Sequence, residues 1–200
     1  MIYRVKGKNI YYRKIKSEKI EHIKEDLIHL SNKLNYTFKS FTIDGRRGVI
    51  QMLKQTFPNI PIQMCQFHQQ QIIRRYNTNN PKTDCGIELK ELMQEMRDLD
   101  YADFEYKLLL LKAKYKNFLL ERNENNGFSH QRLRSAFRSL KTNLPYLFTY
   151  KNKKYLNLNI PNTTNTCEGW FAHLKEKIKI HRGLNKKMKE KMILKLVENS

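Results

Sequence analysis

Two carboxylates stand where predicted elements end or begin, and their oxygens could hold a metal ion that works on DNA. Asp44 follows residues 41–43, which alternate between apolar and polar, and precedes Gly45, so its side chain is predicted to emerge where a strand runs into a glycine turn. Glu168 stands at the start of a basic amphipathic helix predicted from Asn165 onward. This pair of carboxylates therefore predicts metal-assisted phosphodiester chemistry.

Both carboxylates also have simpler interpretations. An Asp-Gly pair often makes only a turn. The spacing from Asn165 to Glu168 fits a capping box, in which Glu168 folds back onto the amide of the cap. The sequence leaves these alternatives open, although Arg46 and Arg47 favour a functional Asp44 because they place positive charge beside its carboxylate.

Cys65 and His68 have the spacing of half a zinc site. Since no second pair with matching spacing follows, a structural zinc is not expected. One interpretation makes Cys65 a buried residue at a strand end and His68 a capping or surface residue of the next helix. The other places both beside Asp44, one strand over at the same sheet edge.

The charge of the chain indicates a polyanionic partner. Lys and Arg number 39 against 19 Asp and Glu, which gives a formal net charge of +20, and such a surface favours nucleic acid. Lys175, Lys179, His181 and Arg182 follow Glu168 along its predicted helix and form a predicted phosphate track. A solvated charged face is the alternative for these cations.

Cysteine usage and hydropathy indicate a cytoplasmic protein without a membrane anchor. The three cysteines are odd in number and irregularly spaced, which favours a reducing compartment over a disulfide framework. We expect no transmembrane helix, because no apolar segment approaches the roughly 18 residues that a span requires.

The strand and helix patterns divide the chain into three predicted segments. Residues 1–76 alternate between strands and helices, which is typical of an α/β core with parallel strands. The Asn-rich stretch 77–83 marks a boundary, and 77–155 is predicted to be an all-helical insertion. Residues 156–200 return to the core and end in a basic helix. The predicted elements are a hairpin in 1–15, helices at 17–35, 48–56 and 66–76, strands at 39–43 and 60–65, an extended segment at 155–160, and a helix from 165 that breaks near Gly183.

Three motifs in this order resemble the mutator-like DDE transposases of bacterial insertion sequences. They are TIDGRRG at 42–48, IPIQMCQFH at 60–68 and PNTTNTCEG at 161–169, with a helical segment between the second and third. The resemblance implies a ribonuclease H-like mixed sheet interrupted by an all-helical insertion. It also implies an active site of two Asp and one Glu around Mg²⁺, which cleaves DNA and transfers the cut strand.

The resemblance assigns roles to individual residues. It makes Asp44 the second catalytic acid and Glu168 the third, and it places Cys65 and His68 near the active site and the bound DNA. HQRLR at 130–134 and LPYLF at 144–148 resemble family segments at the end of the helical insertion. Arg132 and the neighbouring Arg134 are therefore expected to contact DNA, together with Arg46, Arg47 and the phosphate track.

The family pattern also requires a first catalytic Asp on the central first strand of the sheet, well before Asp44. The one earlier aspartate is Asp26, inside the predicted helix 17–35. The hairpin in 1–15 resembles the second and third strands. We therefore expect a chain truncated at its amino end, without the first strand and with negligible strand cleavage by itself.

Two other functions stay open at this point. The chain could be a noncatalytic DNA-binding or regulatory fragment that acts at insertion-sequence ends, or an unrelated basic module that binds RNA or DNA. The expected partner of the transposase fragment and of the regulatory fragment is DNA, and a homo-oligomer is left open.

Overall fold

The computed structural model describes residues 2–5, 8–15 and 17–198 and shows a mixed α/β chain that is mostly helical. Among these residues there are two small sheets, each of two strands. The elements are β1 (Ile2–Val5), β2 (Lys8–Tyr12), α1 (Ile20–Lys33), β3 (Phe41–Ile43), α2 (Arg47–Thr56), β4 (Ile62–Met64), α3 (Gln66–Asn77), α4 (Asp84–Glu95), α5 (Tyr101–Lys114), α6 (Lys116–Leu120), α7 (Gln131–Leu147), two 3₁₀ turns (Thr149–Lys151 and Lys153–Leu158), α8 (Asn165–Ile180) and α9 (Lys186–Glu198).

The described residues belong to two compact units. The first unit takes residues from 1–38, 51–58 and 164–200, and the second takes 39–50 and 59–163. The parallel strands thus group with α3 to α7, while α2 is divided between the two units. The sequence predicted segments at 1–76, 77–155 and 156–200. None of the described helices is long and apolar enough to cross a bilayer.

The first unit is built on the hairpin that the sequence predicts. β1 and β2 pair antiparallel, with Ile2 opposite Tyr12 and Val5 opposite Lys8. The hairpin is tied to α9 at the other end of the chain, because the Asn9 side chain donates to the Val197 carbonyl at 2.7 Å. Hairpin and carboxyl-terminal helix therefore stabilise each other.

A buried carboxylate joins the hairpin to α1. The Tyr3 hydroxyl donates to Asp26 Oδ2 at 3.0 Å, and Arg13 Nε lies 2.7 Å from Asp26 Oδ1. Burial, together with the hydrogen bond and charge of Asp26, raises the pKa of Tyr3 far above its usual range. Leu27 and Leu30 bury the apolar stripe of α1 beside this cluster, as the helical spacing predicts.

The second unit contains the parallel strand pair that the strand-helix-strand-helix pattern predicts. β3 and β4 run parallel, with Phe41 opposite Ile62 and Ile43 opposite Met64. α2 connects them, and all three residues of β4 are buried. The carboxyl ends of both strands therefore meet at one edge.

The helices of the second unit enclose its hydrophobic core. Leu89, Met96, Phe104, Leu140 and Leu147 are among its fully buried side chains, and each belongs to a stripe with helical spacing. The apolar residues from 104 to 119 keep helical spacing, but in the structure they belong to two helices. α5 ends at Lys114, where the next backbone leaves the helical region, and the short α6 follows.

Two buried glutamines, one in β4 and one at the start of α3, hold these elements to the end of α7. Gln63 and Gln66 both donate to the Leu147 carbonyl, at 2.9 Å and 3.1 Å. Gln63 Oε1 in turn accepts the backbone N–H of Tyr150 at 3.0 Å. The last carbonyls of a helix have no hydrogen-bond donor within the helix. The two glutamines supply the donors for the Leu147 carbonyl at the end of α7.

The prediction of an extended segment at 155–160 is wrong for most of its length. Residues 153–158 form a 3₁₀ turn instead, because the Asn152 side chain accepts the backbone N–H of Lys154 at 3.0 Å and starts the turn. Asn159 ends it in the left-handed region, at φ 48°. An Asn at each end is a turn signal, and it outweighs the apolar residues between them.

Candidate functional site

Asp44 is exposed at the carboxyl end of β3, as the sequence predicts. Its Oδ1 accepts the backbone N–H of Arg46 at 3.2 Å. Gly45 has φ +92°, a backbone conformation that residues with a side chain rarely adopt. A Cβ at this position would also collide with the Met64 side chain. Glycine is therefore required at the elbow that presents Asp44.

The hydrogen bond to Arg46 shows that the turn interpretation of Asp44 holds in the structure. It does not exclude metal binding, because a carboxylate has about four acceptor positions. The exposed side chain of Arg47 and that of Arg46 flank the same elbow. A phosphate that approached Asp44 would meet positive charge on the residues that follow it.

Cys65 and His68 lie at the start of α3, directly after β4. Cys65 is fully buried, and its backbone N–H donates to the Ile43 carbonyl at 2.7 Å. This bond joins the residue after β4 to the last residue of β3, so Cys65 lies one strand over from Asp44 at the same edge. His68 is half-buried one turn later, three residues along the helix.

Glu168 lies in the first turn of α8 and is half-buried. Its Oε1 accepts the Thr164 hydroxyl at 2.5 Å, and its backbone N–H donates to the Thr164 carbonyl at 3.0 Å. The helix therefore begins one residue earlier than a capping box from Asn165 requires. Glu168 belongs to the first unit, whereas Asp44, Cys65 and His68 belong to the second.

The three cations of the phosphate track are exposed. Lys175 and Lys179 are one turn apart on α8, so they share one side of the helix, and Arg182 follows in the turn after it. This arrangement suits contact with successive phosphates and equally suits a solvated surface. Their contact with DNA stays a prediction.

The two arginines predicted from α7 differ in their surroundings. Arg134 is half-buried: its guanidinium lies 3.4 Å from the centre of the Phe128 ring, and Nη1 donates to the Leu119 carbonyl at 2.8 Å. These contacts hold the 121–130 loop against α7. Arg132 is exposed and donates to the Arg75 carbonyl at the end of α3.

Arg132 also lines a pocket of about 640 Å³ that the sequence does not predict. We call it the arginine pocket. Its residues come from the Asp44 elbow, α3 and α7: Gly45, Arg47, Ile72, Arg75, Tyr76, Arg132, Ser135, Arg138, Ser139 and Asn143. The signal in the sequence is the polar spacing 132, 135, 139, 143 on one side of α7, but only the fold shows that Arg47 and Arg75 complete it.

Comparison of the chain with protein-family models, with curated proteins and with solved structures gave no match. Any function proposed for the chain therefore rests on its residues and on the geometry around them.

Proposed function

We propose that the chain is part of a mutator-like DDE transposase with a ribonuclease H-like core, and that by itself it binds DNA without cutting it. The observation that carries this proposal is Asp44. Its carboxylate is exposed on a glycine elbow at the carboxyl edge of a parallel strand pair, with Arg46 and Arg47 directly after it. Ligands of α/β sheets bind at that edge.

The strand pairing supports the ribonuclease H-like part of the proposal. Such a sheet has a central first strand, with an antiparallel hairpin of the second and third strands. The structure has an antiparallel hairpin, β1–β2, and a separate parallel pair, β3–β4. An antiparallel hairpin and a parallel pair are both pairings that such a sheet contains.

The donor atoms fit the roles that the resemblance gives them. Carboxylate oxygens of Asp44 and Glu168 suit Mg²⁺, a hard cation that prefers oxygen ligands. The thiol of Cys65 and the imidazole of His68 are softer donors, so we do not assign them to Mg²⁺. The chemistry that bound Mg²⁺ would supply is activation of a water or a 3′-hydroxyl and stabilisation of the leaving oxygen.

Asp26 does not fit the role of the first catalytic Asp. It lies within α1 and not on a strand, its exposure is 1%, and Arg13 and Tyr3 contact its two oxygens. No other aspartate precedes Asp44 in the sequence. Two carboxylates give fewer oxygens than two metal ions need, so this chain is expected to bind DNA and leave the strands intact.

The noncatalytic alternative, a regulatory fragment at insertion-sequence ends, predicts the same biochemical behaviour. The buried ion pair of Asp26 favours a noncatalytic chain. The two proposals share one experiment, because both expect binding without cleavage.

That experiment measures binding and cleavage on the same sample. Purified chain is titrated against labelled duplex DNA at low salt, then incubated with supercoiled plasmid in Mg²⁺ or Mn²⁺. We expect a saturable complex and no conversion to nicked circles. Metal-dependent nicking that is abolished by both Asp44→Asn and Glu168→Gln would show a complete active site and would contradict the proposal.

A further inference from the structure

Four arginines from three elements of the second unit line the arginine pocket. Arg75 comes from the last turn of α3, Arg132 and Arg138 from α7, and Arg47 from the first residue of α2. All four side chains are exposed to solvent. Among the described residues that line the pocket none is acidic, so the charge of the four groups is not neutralised within it.

One wall of the pocket is an ordered polar network. Asn143 is buried, and its amide donates to Gln69 Oε1 at 2.7 Å. Gln69 Nε2 donates to Ser139 Oγ at 3.3 Å, and Asn143 Nδ2 lies 3.5 Å from the same oxygen. Because Ser139 Oγ accepts hydrogen bonds from these amides, its own O–H can donate to a ligand in the pocket.

This combination of donors selects a phosphate. Guanidinium forks bind phosphate oxygens in a bidentate manner, and serine hydroxyls add donors of the right polarity. The same lining repels cations and offers little to an apolar ligand. A volume of about 640 Å³ lies within the usual size of small-molecule pockets, roughly 300–1,000 Å³, which is room for a sugar-phosphate unit.

We propose that the arginine pocket binds backbone phosphate of a DNA strand, and that Arg75 and Arg138 are DNA-binding residues. This inference rests on the proposed function and makes it more specific: the pocket borders the Asp44 elbow through Gly45 and Arg47. A strand held there is anchored next to the carboxylate. The predicted contacts of Arg47 and Arg132 with DNA become contacts within one site.

Arg132 is not the best residue for a test. Its guanidinium donates to the Arg75 carbonyl, and a cation at the carboxyl end of α3 also stabilises the helix dipole. Substitution of Arg132 would therefore disturb the α3–α7 contact as well as the pocket. Arg138 lies farther along α7 and is the residue of choice, with Lys141 as its matched control: Lys141 is exposed on the same helix and does not line the pocket.

The test compares full-length Arg138→Ala, Arg75→Ala, Arg138→Lys and Lys141→Ala by fluorescence anisotropy with a labelled single strand and a labelled duplex. Circular dichroism verifies that each variant is folded. We expect each Arg→Ala substitution to weaken binding roughly tenfold, as removal of a charge-assisted bidentate hydrogen bond predicts. Lys141→Ala should change affinity less than about twofold, and Arg138→Lys should recover part of the affinity.

A second arm uses pyrophosphate and inorganic phosphate to separate DNA from free phosphate compounds. Pyrophosphate should displace the strand from the wild type and raise its Tm, and it should not raise the Tm of Arg138→Ala. If Arg138→Ala binds DNA as well as Lys141→Ala does, the pocket is not the site, although DNA binding itself stands. If the wild type binds no DNA but is stabilised by pyrophosphate through Arg138, DNA is overturned as the ligand and the proposed function fails with it.

Discussion

Arg13 Nε lies 2.7 Å from Asp26 Oδ1, and the Asp26 side chain is almost completely buried. The same guanidinium donates to Glu25 at 3.1 Å, on the exposed side of α1. One arginine thus joins two adjacent carboxylates in different surroundings. The buried pair holds the segment after the hairpin against α1, which gives Asp26 a structural role.

Removal of the buried carboxylate should destabilise the first unit. We expect Asp26→Ala to lower the free energy of unfolding by about 1–3 kcal/mol, because it leaves the half-buried Tyr3 hydroxyl without its acceptor. Glu25→Ala should have little effect, since exposed ion pairs contribute little. Urea denaturation of both variants measures the difference, and equal midpoints would contradict the structural role of Asp26.

Much of the fold could be predicted from local pattern. The hairpin, the stripe of α1 and the parallel β3–β4 pair follow from apolar spacing and turn residues, and the structure confirms them. The break at Tyr115 and the 3₁₀ turn at 153–158 could not, because local hydrogen bonds decide them. Apolar periodicity does not report where such bonds form.

The candidate site was predictable residue by residue but not as an assembly. Asp44 at a strand end and Cys65 one strand over follow from the order of strands. The stacking of Arg134 on Phe128 and the convergence of Arg75 and Arg138 depend on how α3 and α7 pack. Sequence charge alone does not separate an arginine that packs from one that lines a pocket.

The elbow at Gly45 gives a stability prediction of defined sign. Gly45→Ala should destabilise the protein by about 1–2 kcal/mol, because φ +92° is unfavourable for a residue with a Cβ. Gly169→Ala is the control: Gly169 lies within α8 with nothing within 4 Å of an added Cβ. It should be stabilising by up to about 1 kcal/mol. Thermal unfolding measures both effects. If both substitutions shifted the Tm in the same direction, the requirement for glycine at position 45 would be contradicted.

Asp44 should oppose DNA binding when no metal is present. A carboxylate at a phosphate-binding edge repels DNA, so Asp44→Asn is expected to raise affinity about two- to fivefold in EDTA. Added Mg²⁺ should reduce that difference by neutralising Asp44 in the wild type. Asp98→Asn, an exposed substitution in the turn after α4, serves as the control. Equal effects of the two substitutions on DNA affinity would show that Asp44 does not lie at the DNA-binding surface.

The contact between α4 and α5 should weaken in acid. Hydrogen bonds from Lys114 at 2.6 Å and from the Tyr115 hydroxyl at 2.7 Å hold the pKa of Glu88 below its ordinary 4.5. The stabilisation is therefore present above pH 4.5 and disappears as pH falls through the lowered pKa. Glu88→Gln should be less stable than wild type at neutral pH, and the gap measured by urea denaturation should close in acid. For the control Glu91→Gln, the difference in stability from wild type should not change with pH in this way.

The salt dependence of DNA affinity tests the central claim most directly. If the chain binds DNA through phosphates, log K falls linearly with log salt, with a slope of about −0.9 for each duplex phosphate that a cation neutralises. Substitution of Lys175, Lys179 and Arg182 by alanine should reduce the magnitude of that slope by about 0.9 for each cation that pairs with a phosphate in the wild type. We expect a steep slope for the wild type and a shallower one for the triple variant. No binding at low salt, or affinity that salt does not change, would contradict the account.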